Sequence, residues 1–414
     1  MNIESKSVPQ DKPGELDPAF GVGGVVNAPS GSGSIRCIVE DVQGAIVYAV
    51  WVSNECWLYR VFSDGAPDHQ FGLGGVTKWA FAPGMVSAPV QLIRQPDGKF
   101  LLIGAVRAVD DVEKPRVAIA RFNTNGSPDL IFGNRILPFP TTGKFYTLFP
   151  TDGCLQADGK ILIAAPYTML DSNDNIVYEA TVLHRLQDNG EADLEFGGGR
   201  GFIDVRLNGQ DTKGESVAIM SGERILLGGT VQRIDSDGIH RKQSIARFLP
   251  NGALDPAFGT SGYWEAEGDN VMGKLIVHED LIICVGYEGP KSFLACLSRL
   301  TPNGSFDPTF NNGSRLLVDI KADVPGLHVT CTSVALQSDG KIVAAGHAGR
   351  NAQSYWLRVG SRGELDPVFG DHGVFIYEPS KHMGGLIVQG DSQRIVTGID
   401  SATAPKPKML GILS

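Results

Sequence analysis

Long apolar runs and clustered basic residues are both missing from this sequence of 414 residues. No uninterrupted apolar stretch approaches the roughly 18 residues of a membrane-spanning helix, so membrane insertion is not predicted. Lys and Arg form no tract, and the formal net charge is −10. Nucleic acids and anionic membrane surfaces need clustered cations, so neither is expected as a partner.

Cysteine is sparse, and the C-x-x-C spacing of metal sites is absent. The six cysteines fall in apolar, strand-like segments: Cys37, Cys56, Cys154, Cys284, Cys296 and Cys331. We predict buried free thiols in a reducing compartment. Cys284 and Cys296 could face each other across one hairpin, but free thiols are favoured there too. Residues 1–14 lack the apolar core of a secretory signal, so a cytoplasmic location is expected, with signal-independent export left open.

Motifs of familiar catalytic chemistry are also absent. The sequence contains no G-x-S-x-G, H-E-x-x-H, P-loop or helix-opening G-x-G-x-x-G. Acidic loops at 171–175 and 235–238 resemble calcium-binding spacing, but neither continues to the glutamate that closes such a loop. We therefore predict no cofactor and no metal ion.

One pattern, Gly-x-x-Asp-x-x-Phe, recurs along the chain. Its seven copies are Gly14-Asp17-Phe20, Gly65-Asp68-Phe71, Gly126-Asp129-Phe132, Gly190-Asp193-Phe196, Gly252-Asp255-Phe258, Gly304-Asp307-Phe310 and Gly363-Asp366-Phe369. The mean period of about 58 residues indicates a repeat array whose units pack into one body. The 52 glycines suit a chain with many tight turns.

Each repeat carries four strand signals. About 30 to 35 residues after the signature comes a hairpin signal between two apolar runs. It is clearest as Asp-Gly at 92–106, 155–165 and 336–346, and weaker at 38–50, 219–229, 277–286 and 388–398. A third strand ending in Arg follows, then the next signature and a short β-rich run, with no helical periodicity. Seven units of four antiparallel strands predict an all-β fold, a closed seven-bladed β-propeller.

The two ends of the sequence predict how the ring closes. The chain opens on a signature and its outer strand (16–26) and ends on a third strand (408–414). The N-terminal strand would therefore complete the last blade. We expect a single propeller domain over 1–414, with seven repeats from 14 to 414 and a polar, flexible segment at 1–13.

An arginine precedes the signature aspartate by eight residues in six repeats: Arg60, Arg121, Arg185, Arg247, Arg299 and Arg358. The constant offset predicts an Arg–Asp pair at the outer corner of the blade. Alternatively, the aspartate side chain only caps its own turn. The seventh repeat has no such arginine, so Asp17 is expected to bind backbone amides or a different cation, with Lys406 or Lys408 as the nearest candidate. Because the phenylalanines recur in every unit, they are expected to be buried and structural.

Three segments match a known repeat most clearly: DGKIVAAG (339–346), IARFLPNGALDPAFG (245–259) and GELDPAFGVGGVV (14–26). They resemble the delta-60 repeat family of bacterial proteins, and the resemblance extends from residue 14 to 414. It departs at Asn311, where the other repeats have glycine, and at 125–139, which lacks the following Gly-Gly. The resemblance implies a bacterial, propeller-like repeat protein and carries over no catalytic residue.

A specific site would use residues that differ between blades, at the mouth of the central channel. The loops that lead into the axial strands carry our candidate binding residues: Asp152, Glu215, Asn270, His328 and His382. The loops from second to third strands carry further polar residues on the same face: Arg107, Arg233, His240 and Arg350.

Two functions remain open at this point. The favoured one is a monomeric, non-catalytic scaffold that binds a protein or a carbohydrate at its rim or channel mouth. Its five tryptophans are expected mostly in strands, which leaves few aromatic platforms. The alternative is a metal-assisted hydrolase or lactonase, in which carboxylates, amide and histidines in the central funnel hold a divalent ion that activates water.

Overall fold

The computed structural model describes residues 12–110, 115–139, 144–147, 151–236, 238–289, 293–322, 328–401 and 406–414. Over these residues the chain forms seven β-sheet blades in a closed ring, which confirms the predicted fold class. The helical elements in these ranges are three short 3₁₀ turns, at Leu207–Gly209, Ser221–Glu223 and Asn311–Gly313. None of the described residues belongs to a helix that is long and apolar enough to cross a membrane.

The strands run from the innermost to the outermost position in each blade. Strand β1 (Val25–Asn27) comes first, followed by blade 1 with β2 (Ser34–Glu40), β3 (Ile46–Val52), β4 (Glu55–Val61) and β5 (Thr77–Trp79). Blade 2 has β6 (Val86–Arg94), β7 (Phe100–Arg107), β8 (Arg116–Phe122) and β9 (Asn134–Ile136). Blade 3 has β10 (Lys144–Thr147), β11 (Asp152–Leu155), β12 (Ile161–Leu170), β13 (Ile176–Leu186) and β14 (Phe202–Val205).

The remaining blades follow the same order. Blade 4 has β15 (Asp211–Met220), β16 (Arg224–Asp235), β17 (Gly238–Phe248) and β18 (Tyr263–Glu265). Blade 5 has β19 (Asn270–His278), β20 (Leu281–Glu288), β21 (Leu294–Leu300) and β22 (Leu316–Val318). Blade 6 has β23 (Thr330–Leu336), β24 (Ile342–Ala348), β25 (Gln353–Val359) and the first part of β26 (Val374–Val388). Blade 7 has the rest of β26, β27 (Ile395–Ser401) and β28 (Pro407–Ile412).

The innermost strands surround the central channel. They are β2, β6, β10 with β11, β15, β19, β23 and the second part of β26. Each pairs antiparallel with the second strand of its blade. These are the strands that precede the Asp-Gly-type turns, as the sequence predicts. Because side chains alternate along a strand, one set faces the channel while the other packs inside the blade.

Strand β1 closes the ring by pairing antiparallel with β28. Val25 lies opposite Leu410, and Asn27 lies opposite Lys408. The predicted closure is therefore confirmed, and β1 is the outermost strand of blade 7.

A buried corner recurs at the outer edge of every blade. In the six blades with the regular offset, the arginine Nε donates to the signature aspartate over 2.6 to 3.0 Å. The same guanidinium lies 4.5 to 5.4 Å from the ring of the signature phenylalanine. The other aspartate oxygen accepts the N–H two residues further on, over 2.9 to 3.2 Å. Both predicted roles of the aspartate thus coexist, and all seven phenylalanines are buried.

The corner also joins each blade to the next. Arg247 Nη1 donates to the carbonyl of Pro302 in blade 5 over 2.6 Å, and the Gly259 N–H donates to Asn303 over 2.8 Å. Gly126 shows why the signature begins with glycine. Its φ is +83°, and a Cβ there would lie 2.7 Å from the ring of Phe71 in the preceding blade.

The corner of blade 7 corrects one prediction. Asp17 pairs with Arg394, whose Nε lies 2.5 Å from Oδ2, rather than with Lys406 or Lys408. Lys408 instead forms an ion pair with Glu378, and Lys406 is exposed.

Arg394 lies in the turn before the second strand of blade 7, where other blades carry the lysine of the Asp-Gly-Lys turn. In blade 2 that lysine, Lys99, also reaches the signature aspartate, with 3.1 Å between Nζ and the carboxylate of Asp129. The cation of the seventh corner therefore comes from the turn before the second strand, not from the third strand, and pairs with the same signature aspartate.

All six cysteines are free, and five of them are buried. Cys284 lies opposite Ser298, and Cys296 lies opposite Gly286, so the two thiols are not a cross-strand pair. All five tryptophans lie in strands, as expected: Trp51, Trp57, Trp79, Trp264 and Trp356.

Candidate functional site

The innermost strands enclose a cavity of about 480 Å³ in the channel. Every blade contributes to its wall, and the charged residues on it are Arg36, Asp152, Lys213, Glu215 and Lys274. Several of them lie near the beginning of an innermost strand. That end of the strand faces the same side of the ring as the turn between the second and third strands, since Asp211 at the start of β15 pairs with Gln232 near the end of β16.

Asp152 is buried in the channel wall, and its carboxylate is engaged on both oxygens. Oδ2 accepts the hydroxyl of Ser216 over 2.7 Å and the N–H of Val217 over 2.9 Å. Oδ1 lies 2.5 Å from Nζ of Lys274. This network joins the innermost strands of blades 3, 4 and 5. Ser216 and Lys274 were not among the residues predicted from the sequence.

Glu215 lies on the same wall and is less constrained. Its carboxylate lies 3.4 Å from Nζ of Lys213. Desolvation by burial raises the pKa of Glu215 above its usual value, although the charge of Lys213 opposes the shift. The structure thus brings Asp152 and Glu215 together on the channel wall.

Asn270 and His328 lie elsewhere. Asn270 is buried, accepts the backbone N–H of Gln243 over 2.7 Å and donates to the carbonyl of Glu267 over 2.7 Å. It therefore caps the edge of β17 in the preceding blade. His328 is exposed, and its ring stacks on Phe293 with 6.0 Å between centroids.

His382 lies in β26, beside the innermost strand of blade 1. Burial, assisted by the nearby charges of Arg36 and His347, lowers the pKa of His382 to about 4. His347 Nε2 lies 2.9 Å from the hydroxyl of Ser380, which in turn lies 2.7 Å from that of Ser354. These side chains form a polar cluster between blades 6 and 7.

The five candidate residues do not converge on one point. Two are on the channel wall, one is at the corner between blades 7 and 1, and two face other surroundings. Within the described ranges, no three His, Cys, Asp or Glu side chains form a group that could hold a metal ion. The metal-assisted alternative requires a ring of ligands around one ion, and these five side chains do not form it.

The second set of predicted polar residues lies at the turns between second and third strands. Arg107 Nη1 donates to the carbonyl of Ala108 in its own loop over 2.9 Å. Arg233 lies opposite His240 near the end of β16 and donates to Oε1 of Gln210 over 3.2 Å. Arg350 lies in the turn between β24 and β25.

The second and third strands of blades 3 and 4 are longer than those of the other blades. Strands β12 and β13 have 10 and 11 residues, and β16 and β17 have 12 and 11. In the other five blades the corresponding strands have 6 to 8 residues. At about 3.3 Å per residue, the paired strands of these two blades extend roughly 10 to 15 Å further on the face of the channel mouth.

Both extended hairpins end in exposed aliphatic side chains. Ile176 and Val177 are 59% and 56% exposed at the end of the blade 3 hairpin. Ile234 and Ile239, paired across the strands of the blade 4 hairpin, are 69% and 49% exposed. We call these four residues the hairpin tips.

The base of the blade 3 hairpin is braced by aromatic packing. Phe139 stacks on Phe145 with 4.0 Å between centroids, and Tyr167 packs edge-on against Phe139 at 5.1 Å. The Tyr167 hydroxyl donates to Asp204 over 2.8 Å. Ile176 and Val177, at the tip of blade 3, therefore have a packed support.

Comparisons with known proteins agree with this fold. The sequence family described as "Domain of unknown function (DUF5122) beta-propeller" matches residues 95–132 and 295–310. No curated protein matches the chain. The structure is similar to a protein of unknown function from Dyadobacter fermentans, with 8% identity, a TM-score of 0.51, and coverage of 94% of this chain and 100% of that one.

It is also similar to a catalytically inactive virginiamycin B lyase from Staphylococcus aureus, solved with quinupristin. The identity is 11%, the TM-score is 0.50, and the coverage is 94% of this chain and 98% of that one. At such identities the likeness concerns the fold alone. The match and the architecture together support a β-propeller repeat family.

Proposed function

We propose that the protein is a non-catalytic scaffold of the delta-60 repeat type that binds a protein partner at its rim. The observation that carries this proposal is the pair of extended hairpins with exposed aliphatic tips. Neighbouring exposed apolar side chains mark interaction surfaces more often than scattered ones do. A braced support also lowers the entropic cost of binding, because less of the surface has to become ordered.

A protein partner suits the tips better than a carbohydrate does. Ile176, Val177, Ile234 and Ile239 offer branched aliphatic surface, and burying it is favourable only against another apolar surface. A sugar would instead present hydroxyl groups, which need polar partners. The tryptophans, which could have stacked on a sugar ring, lie within strands.

We also propose that the protein is a cytoplasmic monomer of bacterial origin. The free cysteines support a reducing compartment. Closure of the ring within one chain supports a monomer, since β1 completes blade 7 without a second copy.

Site-specific photo-crosslinking in cells tests the rim proposal. A photoreactive amino acid replaces Ile234 in the full chain, and a control chain carries it at Leu73. Leu73 is 90% exposed in the signature turn of blade 1, so the control matches exposure but not location. We expect a discrete crosslinked protein from position 234 that position 73 does not give.

A second variant makes the test specific to the surface. Ile176→Ser with Val177→Ser, on the neighbouring hairpin, should weaken the crosslink at position 234, because a partner that spans both hairpins loses part of its contact. Identical crosslinks from positions 234 and 73, or a crosslink unaffected by the blade 3 substitutions, would contradict the proposal.

A further inference from the structure

A guanidinium with an unpaired nitrogen lies at the wall of the channel mouth. Arg36, in the innermost strand of blade 1, lines the cavity of about 480 Å³. Its guanidinium lies 5.1 Å from the centroid of the Trp51 ring. Its buried Nε has no hydrogen-bond partner among the described residues. A buried donor without an acceptor is unfavourable, so this position favours a ligand that supplies one.

Two more buried nitrogens near Arg36 lack partners within the described parts of the chain. They are Nε1 of Trp51 and Nε2 of His382. His382 lies opposite Asp400 in blade 7, and the Oδ1 of Asp400 accepts the N–H of Ile35, next to Arg36. Because the pKa of His382 is lowered to about 4, its ring is neutral at pH 7 and can carry the hydrogen on Nε2. The three side chains can thus present N–H groups from two adjacent blades.

The carboxylates around Arg36 already have partners. Asp400, whose charge acts on Arg36, accepts the hydroxyl of Ser34 and the N–H of Ile35. On the rest of the channel wall, Asp152 pairs with Lys274, and Glu215 pairs with Lys213.

The charged channel wall therefore has three cations and two carboxylates, in a chain whose net charge is −10. Among the described residues, Arg36 is the cation on this wall that forms no ion pair with a carboxylate, since Lys213 pairs with Glu215 and Lys274 pairs with Asp152. A positive charge within a concave, partly desolvated site attracts anions.

We propose that Arg36, Trp51 and His382, the Arg36 corner, bind a small organic molecule through an oxyanion group, a carboxylate or a phosphate. Arg36 donates to the oxyanion through Nε and a terminal nitrogen, the geometry in which guanidinium binds such groups most strongly. Trp51 and His382 supply the other N–H groups, and the channel cavity holds the rest of the molecule. The hairpin tips take no part, so this site is independent of the rim proposal.

Calorimetric titration of the full chain with sodium phosphate and with sodium acetate, at constant ionic strength, tests the proposal. We expect saturable binding of at least one anion with a Kd of about 1 mM or tighter. Arg36→Gln should weaken it about tenfold, since the charge-assisted pair is lost. Trp51→Phe, which keeps the ring but removes the N–H, should weaken it less. Arg362→Gln is the control, because Arg362 is exposed in a signature turn and should bind like the unaltered chain.

The two anions distinguish the ligand class. Tighter phosphate binding indicates a phosphorylated molecule, and tighter acetate binding indicates a carboxylic acid. If Arg36→Gln does not fold, as judged by circular dichroism, Arg36→Lys replaces it, because lysine keeps the charge but not the planar fork. The proposal is overturned if neither anion binds saturably up to about 20 mM, or if the Arg36 substitution leaves the affinity unchanged.

Discussion

The outer corners and the channel mouth belong to the same seven blades but follow opposite rules. At every outer corner an arginine lies on a buried phenylalanine and pairs with an aspartate. On the channel wall, the innermost strands of different blades carry different charged residues, such as Arg36 in blade 1, Asp152 in blade 3 and Lys274 in blade 5. A contact repeated in every blade builds the ring, whereas a specific site can form only where the residues differ between blades.

The two regions also differ in how well their polar groups are satisfied. In the corner of blade 4, Asp255 accepts from both Arg247 and the N–H of Ala257, and Arg247 reaches the next blade as well. By contrast, the Nε of Arg36 on the channel wall and the Nε2 of the nearby His382, between blades 7 and 1, have no partner among the described residues. Satisfied networks rigidify a fold, and unsatisfied groups near a cavity are where binding can gain most.

The largest effect that separates the two regions is expected at a signature phenylalanine. Phe258→Ala should lower the free energy of unfolding by roughly 3 to 5 kcal/mol, because the ring is buried beneath Arg247 and against Gly304 of the next blade. Urea unfolding measures this, with Phe306→Ala as control. Phe306 packs on Trp264 but is 36% exposed. Equal losses of unfolding free energy in both variants would show that the corner phenylalanine contributes no more to stability than Phe306 does.

The seventh corner should be sensitive to Arg394. Arg394→Gln leaves the buried carboxylate of Asp17 without its cation, and breaking a buried pair costs about 3 kcal/mol or more. Lys408→Gln removes a cation whose partner, Glu378, is 45% exposed, so its cost should stay below about 1 kcal/mol. Chemical denaturation of the two variants compares them directly. A larger loss of unfolding free energy for Lys408→Gln than for Arg394→Gln would contradict the assignment of Arg394 as the partner of Asp17.

Acidification should weaken the ring through a histidine buried inside a blade. His184 lies in β13, and desolvation lowers its pKa from 6.5 to about 4. The unfolded chain therefore binds a proton below pH 6.5 that the folded chain refuses until about pH 4. The stability that the neutral imidazole of His184 contributes is complete above pH 6.5 and is lost as the pH falls towards 4.

At pH 5 this loss should reach roughly 2 kcal/mol relative to pH 7. Urea unfolding at both pH values measures it. His184→Phe should reduce the pH dependence by that amount, since phenylalanine does not titrate. An unchanged pH dependence in the variant would mean that His184 is protonated in the folded state.

The repeated part of the fold could be predicted from the sequence because each signal recurs at a constant offset. The blade count, the strand order, the closure by β1 and the regular Arg–Asp pairs all follow from such offsets. Arg394 could not be found in this way, because the cation of blade 7 lies in the turn before the second strand and not at the usual position on the third strand. Alignment of the hairpin turns would have indicated it, since Lys99, Arg224 and Lys341 hold the same position in other blades and also contact their signature aspartates.

The candidate site was less predictable, because loop position does not tell where a side chain points. Asn270 begins an innermost strand, as Asp152 does, yet its amide caps the edge of β17, while Asp152 joins the channel wall. The length of the extended hairpins could not be predicted either. The sequences at 171–175 and 235–238 are rich in Asp, Asn and Gly, which favour loops. In the structure, however, cross-strand pairing continues up to both turns.

The smallest effect should come from the hairpin tips. Ile234→Ser with Ile239→Ser removes side chains that are largely exposed, so the free energy of unfolding should change by no more than about 0.5 kcal/mol. Val231→Ala, lower in the same hairpin, removes buried atoms from the core and should cost about 2 kcal/mol. Thermal and urea unfolding of both variants give the comparison. If the tip can be changed without loss of stability, its exposed side chains serve something outside the fold. If the tip substitutions cost as much stability as Val231→Ala, the tip is a structural part of blade 4, and the rim proposal loses its support.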